Sequence, residues 1–213
     1  MRVSNLTIAP PQRLLSLAFP FFASGLAALV YQICWQRLLF VAFGADLQSI
    51  TVIVSAFMLG LGVGALAGGR LADHLPEKII LLFAIAEVAI GVFGLLSPRL
   101  IAIVGDATMG YSMPVVALAN FLLLLIPTSL MGATLPMLVA FLVKASKNVG
   151  VSIGGLYLIN TLGAALGAFA TGFVVFHYLD LIDTIHAAAI LNFTASAVVL
   201  LTFRNAIFHR KTA

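Results

Sequence analysis

Glu87 stands in an otherwise apolar run between Lys78 and Leu96. At 1.5 Å of rise per helical residue it lies roughly 14 Å beyond Lys78, near the middle of a hydrocarbon layer about 30 Å thick. An ionised carboxylate at that depth costs at least ~2.5 kcal/mol on insertion scales. An acid there is expected to be protonated or to face a polar interior, and its chemistry would be the binding of a proton or a cation. A protonated side chain bonded to a neighbouring helix is the competing reading.

A second cluster, Tyr31, Gln32, Trp35, Gln36 and Arg37, gathers aromatic and polar groups towards the end of another apolar run. Tyr and Trp ordinarily anchor in the membrane–water interface. Because Tyr31 and Trp35 are four residues apart and share a helix face, an inward-turned Gln32 would instead make them an aromatic wall for a cationic ligand, an attraction of ~0.5 to 2 kcal/mol. Asn120, Tyr157, Asn160, His186 and Asn192 are further polar groups inside apolar runs, where interhelical hydrogen bonds worth ~0.6 kcal/mol are the usual role. Of these, Asn120, Tyr157 and Asn160 are retained as ligand candidates. His177, Asp180, Asp183 and His186 make only a loose polar group without a convergent ligand set, so no metal is expected, and no cofactor. No arrangement of serine, histidine and acid has the setting of a nucleophilic site, and enzyme activity is not expected.

Helices must position these residues. Of the 213 residues 62% are hydrophobic and 8% charged, with a mean hydropathy of +1.18, which excludes a water-soluble globular domain. The 18 glycines are scattered through long apolar runs rather than alternating strands, which excludes a β-barrel. The predicted fold is all-α and polytopic, with six spans at 14–39, 47–71, 78–96, 114–143, 151–176 and 184–203, preceded by residues 1–13 and followed by a basic tail, 204–213. The first run lacks a small-residue cleavage site and is expected to be retained. Ser97 to Ser112 is expected to be a connection, and Pro127 and Pro136 predict a kink or tilt in the long fourth span rather than two crossings, so it is counted once. A lone cysteine, Cys34, offers neither a disulfide framework nor a Cys-rich metal site.

Six spans sort the charges. Arg2, Arg13, Arg70, Lys78, Lys144, Lys147, Arg204, Arg210 and Lys211 fall on one side, whereas Arg37 and Arg99 share the other with Asp46, Asp106, Asp180 and Asp183. Basic residues are retained on the cytoplasmic side, so both termini are expected to be cytoplasmic, in an inner membrane. This sorting also accounts for the basic balance without a nucleic-acid partner.

Two stripes of small residues recur: Ala56, Gly60, Gly64 and Gly68 in the second span, and Gly163, Ala164, Gly167, Ala168, Thr171 and Gly172 in the fifth. Such stripes allow close helix approach in lipid. Equivalent positions in spans one to three and four to six are what a 3+3 inverted repeat predicts.

The segment Gly69 to Lys78, GRLADHLPEK, is similar to the loop motif of the major facilitator superfamily, with Gly69, Asp73 and Lys78 fitting it and His74, Pro76 and Glu77 departing from it. Five blocks resemble the membrane region of the spermidine-synthase-like proteins: SGLAALVYQICWQRLL (from Ser24), AFMLGLGVGALAGGRLAD (from Ala56), AEVAIGVFGLLSP (from Ala86), PTSLMGATLPML (from Pro127) and GGLYLINTLGAALGAFATGF (from Gly154). That resemblance implies half of a major-facilitator-like bundle. The family's soluble aminopropyltransferase domain has no counterpart after Phe203, so polyamine synthesis is not implied. Gln32 stands where many members carry a glutamate.

The expected function is a non-catalytic membrane module that meets another membrane protein or a second copy through the stripes of spans two and five, as an accessory subunit. A half-size transporter dimerising around a mid-membrane site for a small, cationic solute is the first alternative. A membrane anchor for a separate aminopropyltransferase is the second.

Overall fold

The computed structural model describes residues 10–43, 46–146 and 149–204. Arg2, Lys147, Arg210 and Lys211 lie outside the described residues, as do the side chains of Arg13 and Asp46. The elements are α1 (Pro10–Phe43), α2 (Asp46–His74), α3 (Ile79–Ala107), α4 (Met113–Ser146), α5 (Val149–Ala170), a π-helical turn (Thr171–Val175) running into the short α6 (Phe176–Tyr178), and α7 (Leu181–Thr202). Six of the resulting helical segments are long and apolar enough to cross a membrane, with α5, the π turn and α6 forming the fifth. The protein is an all-α, multi-pass membrane protein.

The third span differs from its expected limits. Pro98 does not end it; α3 continues to Ala107. A proline at 98 removes the N–H that would bond the Gly94 carbonyl, and the Ser97 hydroxyl donates to that carbonyl instead, at 2.7 Å. The connection therefore shrinks to a few residues, turned at Gly110, whose φ of 84° suits a residue without Cβ. Arg99 and Asp106 ride on the helix. At the other end of the chain, α7 begins earlier than Thr184, because the Asp180 carboxylate caps it by accepting from the Asp183 N–H at 2.8 Å. The fourth span is one uninterrupted helix through Pro127 and Pro136.

The broadest contacts are α2 with α4, α1 with α5 and α3 with α7; α1 with α7 and α3 with α4 follow, then α1 with α2 and α4 with α5. Exchanging α1 with α4, α2 with α5 and α3 with α7 returns nearly the same pattern, the departure being that α1 touches α3 more than α4 touches α7. This is the contact pattern of a 3+3 repeat. The helix ends agree with it: Lys144 Nζ at the end of α4 donates to the Pro76 carbonyl between α2 and α3 at 3.4 Å, and at the other end the Arg37 guanidinium lies over the Phe176 ring, 4.1 Å from its centre.

The small-residue stripes are sealed inside the protein. A Cβ on Gly60 would strike Thr128, one on Gly64 the Ser129 carbonyl, and one on Gly68 the Ala133 backbone, all on α4; Gly132 of α4 meets the Leu61 backbone in return. On the other flank Gly163 and Gly167 press against the Phe22 and Leu26 carbonyls of α1, and Gly25 of α1 against Asn160. Ala56 and Thr171 are buried on the same lines, Ala164 and Ala168 are half-buried, and of the proposed contact residues Gly172 alone is an exposed position with open space around it. The expectation that these stripes meet a partner is therefore corrected. In lipid, dispersion contacts reward backbone approach, and the nearest backbones belong to the same chain.

Gly64→Ala should destabilise the protein by about 1–3 kcal/mol through overpacking against α4. Gly62→Ala, at a position with nothing within 4 Å of a new Cβ, should stay within about 0.5 kcal/mol of the parent. Unfolding of both variants in one detergent series checks the pair.

Candidate functional site at Glu87

Glu87 is fully buried where α1, α3 and α7 meet. Its side chain leaves α3 two turns after Ile79, and each carboxyl oxygen has one partner: Ser24 Oγ of α1 lies 2.6 Å from Oε1, and Asn192 Nδ2 of α7 donates to Oε2 at 2.7 Å. One turn along α7 from Asn192, Ser196 Oγ donates to the Ala84 carbonyl of α3 at 3.0 Å. These three contacts tie α3 to both neighbours through polar groups that are buried from solvent. Asn192 Oδ1 is buried without a partner.

The aromatic cluster is a core element, neither a wall facing a ligand nor an interfacial anchor. Tyr31 and Trp35 are fully buried and stacked, with ring centres 5.1 Å apart and planes within 15°, as their spacing predicts. The remaining faces and edges of Trp35 meet Phe57 at 6.1 Å and Phe93 at 5.7 Å. Protein rings thus occupy the positions a cation would need. Trp35 Nε1 donates to Ser97 Oγ at 2.8 Å, so Ser97 both replaces the proline's missing bond and receives the indole. Tyr31 Oη lies against Gly94, where a Cβ would collide with the ring, and is buried without a hydrogen-bond partner.

The other candidates do not join Glu87. Gln32 is half-buried. Asn120 is buried in α4 with Nδ2 bonded to the Val116 carbonyl of its own helix at 3.0 Å and Oδ1 unpartnered. Asn160 is half-buried and packs against Gly25, while Tyr157 is 60% exposed on the outer face of α5. In the loop motif, Asp73 and Lys78 are exposed and Gly69 has open space beyond it. His186 lies 3.9 Å from Asp183 at the exposed start of α7, and among the described residues no three His, Cys, Asp or Glu side chains come together.

Ser24, Ser97 and Ser196 were not distinguishable as site residues by type alone. Their signal is spacing: Ser24 and Tyr31 are seven apart on α1, Glu87 and Gly94 seven apart on α3, and Asn192 and Ser196 four apart on α7. Such intervals line one helix face. A groove of about 590 Å³ lies instead between the ends of α1 and α3 and the α3–α4 turn, and none of its lining residues belongs to the Glu87 cluster.

Asn192→Ala should cost about 1–3 kcal/mol by leaving a carboxyl oxygen unpaired. Ser97→Ala should cost a similar amount and, because Trp35 is the single tryptophan, should change its fluorescence; an unchanged spectrum would mean that the indole is held by packing alone. Comparison of the chain with protein-family models, curated proteins and solved structures finds no match, so the reading of this site rests on its own residues.

Proposed function

We propose that the chain is a non-catalytic membrane module that docks laterally onto another membrane protein through the outward faces of α2 and α5. The observation that carries this reading is the composition of those faces. The exposed side of α3 offers bulky aliphatics to lipid: Ile85, Val88, Val92, Leu95, Leu96 and Ile103. On α2 the exposed side sets Ser55 and Gly62 among Val54, Met58, Leu59 and Leu66, and on α5 it sets Gly154, Tyr157, Thr161 and Ala165 among Ile153, Leu158, Leu162 and Leu166, with Gly172 following in the π-helical turn. Glycines 62, 154 and 172 have nothing within 4 Å. Small and hydroxyl-bearing residues are what helix partners in a bilayer use for close approach and cross-helix bonding, and they lie on faces distinct from the sealed stripes.

The closed interior favours docking over solute transport. Glu87 has a protein partner on each oxygen, and the Tyr31–Trp35 rings are covered. The half-transporter reading retains one supporting feature, the exchange of α1 with α4 and α2 with α5 in the contact pattern, which two copies would complete. Membership in the spermidine-synthase-like family, and with it an anchoring role for a separate aminopropyltransferase, is supported by the five sequence blocks. The basic residues Arg70, Lys78, Lys144 and Arg204 share one end, which supports cytoplasmic termini in an inner membrane.

Extraction into native nanodiscs followed by mass measurement tests the choice. One copy with a foreign membrane protein is the expected result; two copies alone would support the transporter, and a solitary copy would overturn both. Gly62→Leu combined with Ala165→Leu should release the partner while thermal stability stays within a few degrees of the parent, since both positions face outward. Retention of the partner by this stable variant would place the docking surface elsewhere.

A further inference from the structure

We propose that Ser24, Glu87 and Asn192 form a proton-binding site that locks the seam between α1, α3 and α7, with the proton resident on the Glu87 carboxyl in the closed bundle. The inference is independent of the docking reading. It starts from charge. Glu87 lies eight residues beyond Ile79, about 12 Å along α3 and so deep in the hydrocarbon layer. Both of its partners are neutral groups. On α1 the titratable side chains within the span are Tyr31 and Cys34, both buried and both neutral when protonated, and Arg37, which is exposed near the far end of the helix with its guanidinium over Phe176. On α7 the only ones are Asp183 and His186, at its exposed start. On α4, packed against the other side of α3, Lys144 lies at the far end, bonded to Pro76. No described basic side chain reaches Glu87, so a negative charge there would be balanced by nothing in the protein.

A bound metal ion fits the site poorly. A hard cation draws on about six oxygen ligands, but Asn192 offers its amide nitrogen to the carboxyl, and α1, α3 and α7 run as unbroken helices with their carbonyls engaged. A proton fits. Ser24 Oγ is placed to donate to an ionised Oε1 across the 2.6 Å contact; with Oε1 protonated that bond reverses, the carboxyl O–H donating to Ser24 Oγ, while the carbonyl oxygen Oε2 continues to accept from Asn192 Nδ2 at 2.7 Å. Each carboxyl oxygen then has one bond, and the cluster is neutral.

The same seam contains what the deprotonated state would need. Asn192 Oδ1 and Tyr31 Oη are buried and unpartnered. A polar seam with idle donor and acceptor groups can take up water, whereas an apolar one stays dry. Loss of the proton leaves a carboxylate that requires solvation, and water entering between α1, α3 and α7 finds Tyr31 Oη as a donor and Asn192 Oδ1 as an acceptor. Proton release is thereby coupled to loosening of α7.

The sequence supplies its own assay, because it contains two glutamates, Glu77 and Glu87. In protein carrying carboxyl-¹³C glutamate and reconstituted in nanodiscs, infrared or NMR spectra at neutral pH should show one ionised label, from exposed Glu77, and one protonated label. The protonated signal should be unchanged when sodium is exchanged for choline. Two ionised labels at neutral pH, or loss of the protonated signal on adding sodium, would overturn the proposal. As a second readout, wild-type α7 amides should lose hydrogen-exchange protection at alkaline pH, after correction for intrinsic rates, whereas Glu87→Gln should retain it. Equal behaviour of the two proteins would sever the link between the proton and the seam. If Glu87→Gln does not fold, the labelled wild-type spectra still decide.

Discussion

Close backbone approach between α2 and α4, and between α1 and α5, is the constraint on which the rest of this bundle depends. In water, exclusion of apolar side chains would press helices together wherever both were greasy. In lipid the alternative neighbour is equally apolar, and packing contact must supply the difference. Gly60, Gly64 and Gly68 provide it on one flank, and Gly163 and Gly167 on the other, each line answered by a glycine of the facing helix, Gly132 or Gly25. Thr128 adds a bond to this contact, donating to the Ala56 carbonyl of α2 at 3.1 Å as well as to Leu124 of its own helix at 2.8 Å. These seams leave no room for even one added carbon, so α2 and α5 are held at fixed distances from α4 and α1.

The opposite side of the bundle is held by different chemistry. Between α3 and its neighbours α1 and α7 the contacts run through side-chain polar groups: Ser24 and Asn192 to Glu87, Ser196 to Ala84, and Trp35 to Ser97. A glycine seam has essentially one low-energy spacing because dispersion falls off steeply with separation. A hydrogen-bonded seam can exchange partners, and its state depends on protonation and on access of water. The protein therefore combines rigid flanks with one chemically responsive seam, and the acid lies in the responsive one.

Much of this architecture was legible in the sequence, for reasons that can be named. Span number follows from the length of apolar runs, and the stacking of Tyr31 on Trp35 follows from a four-residue interval. What the residues could not disclose was direction. Gly60 and Gly64 announce that some helix comes close, but whether that helix belongs to the same chain is decided by how the six spans are arranged. The proposed stripes were thus correct as contact surfaces and misplaced as to partner. The end of the third span was misplaced for a different reason: α3 continues through Pro98 because the serine before it restores the bond that the proline removes. Asn192 was visible as a polar group within an apolar run and Ser24 by its spacing from Tyr31, but neither could be assigned to Glu87 until the arrangement of the helices fixed which faces of α1 and α7 point inward.

The two kinds of seam also divide the outer surface. Once α2 and α5 have committed one line of small residues to α4 and α1, whatever remains on their outer faces is free of the packing requirement. Bulky aliphatics cover part of those faces, as they do on α3: Val54, Met58, Leu59 and Leu66 on α2, and Ile153, Leu158, Leu162 and Leu166 on α5. Ser55, Gly62, Gly154, Thr161 and Gly172 instead reduce the contact such a face can make with lipid chains, and helix propensity does not favour glycine. On the docking function proposed above, they would leave room for a neighbour to approach closely, as α4 and α1 do on the inner faces. The rigidity of the inner seams gives that neighbour a fixed surface to meet, since a flank locked against its own bundle loses little conformational freedom when a partner adds to it. On that proposal, docking and internal packing would be one device used twice, on two faces of the same pair of helices.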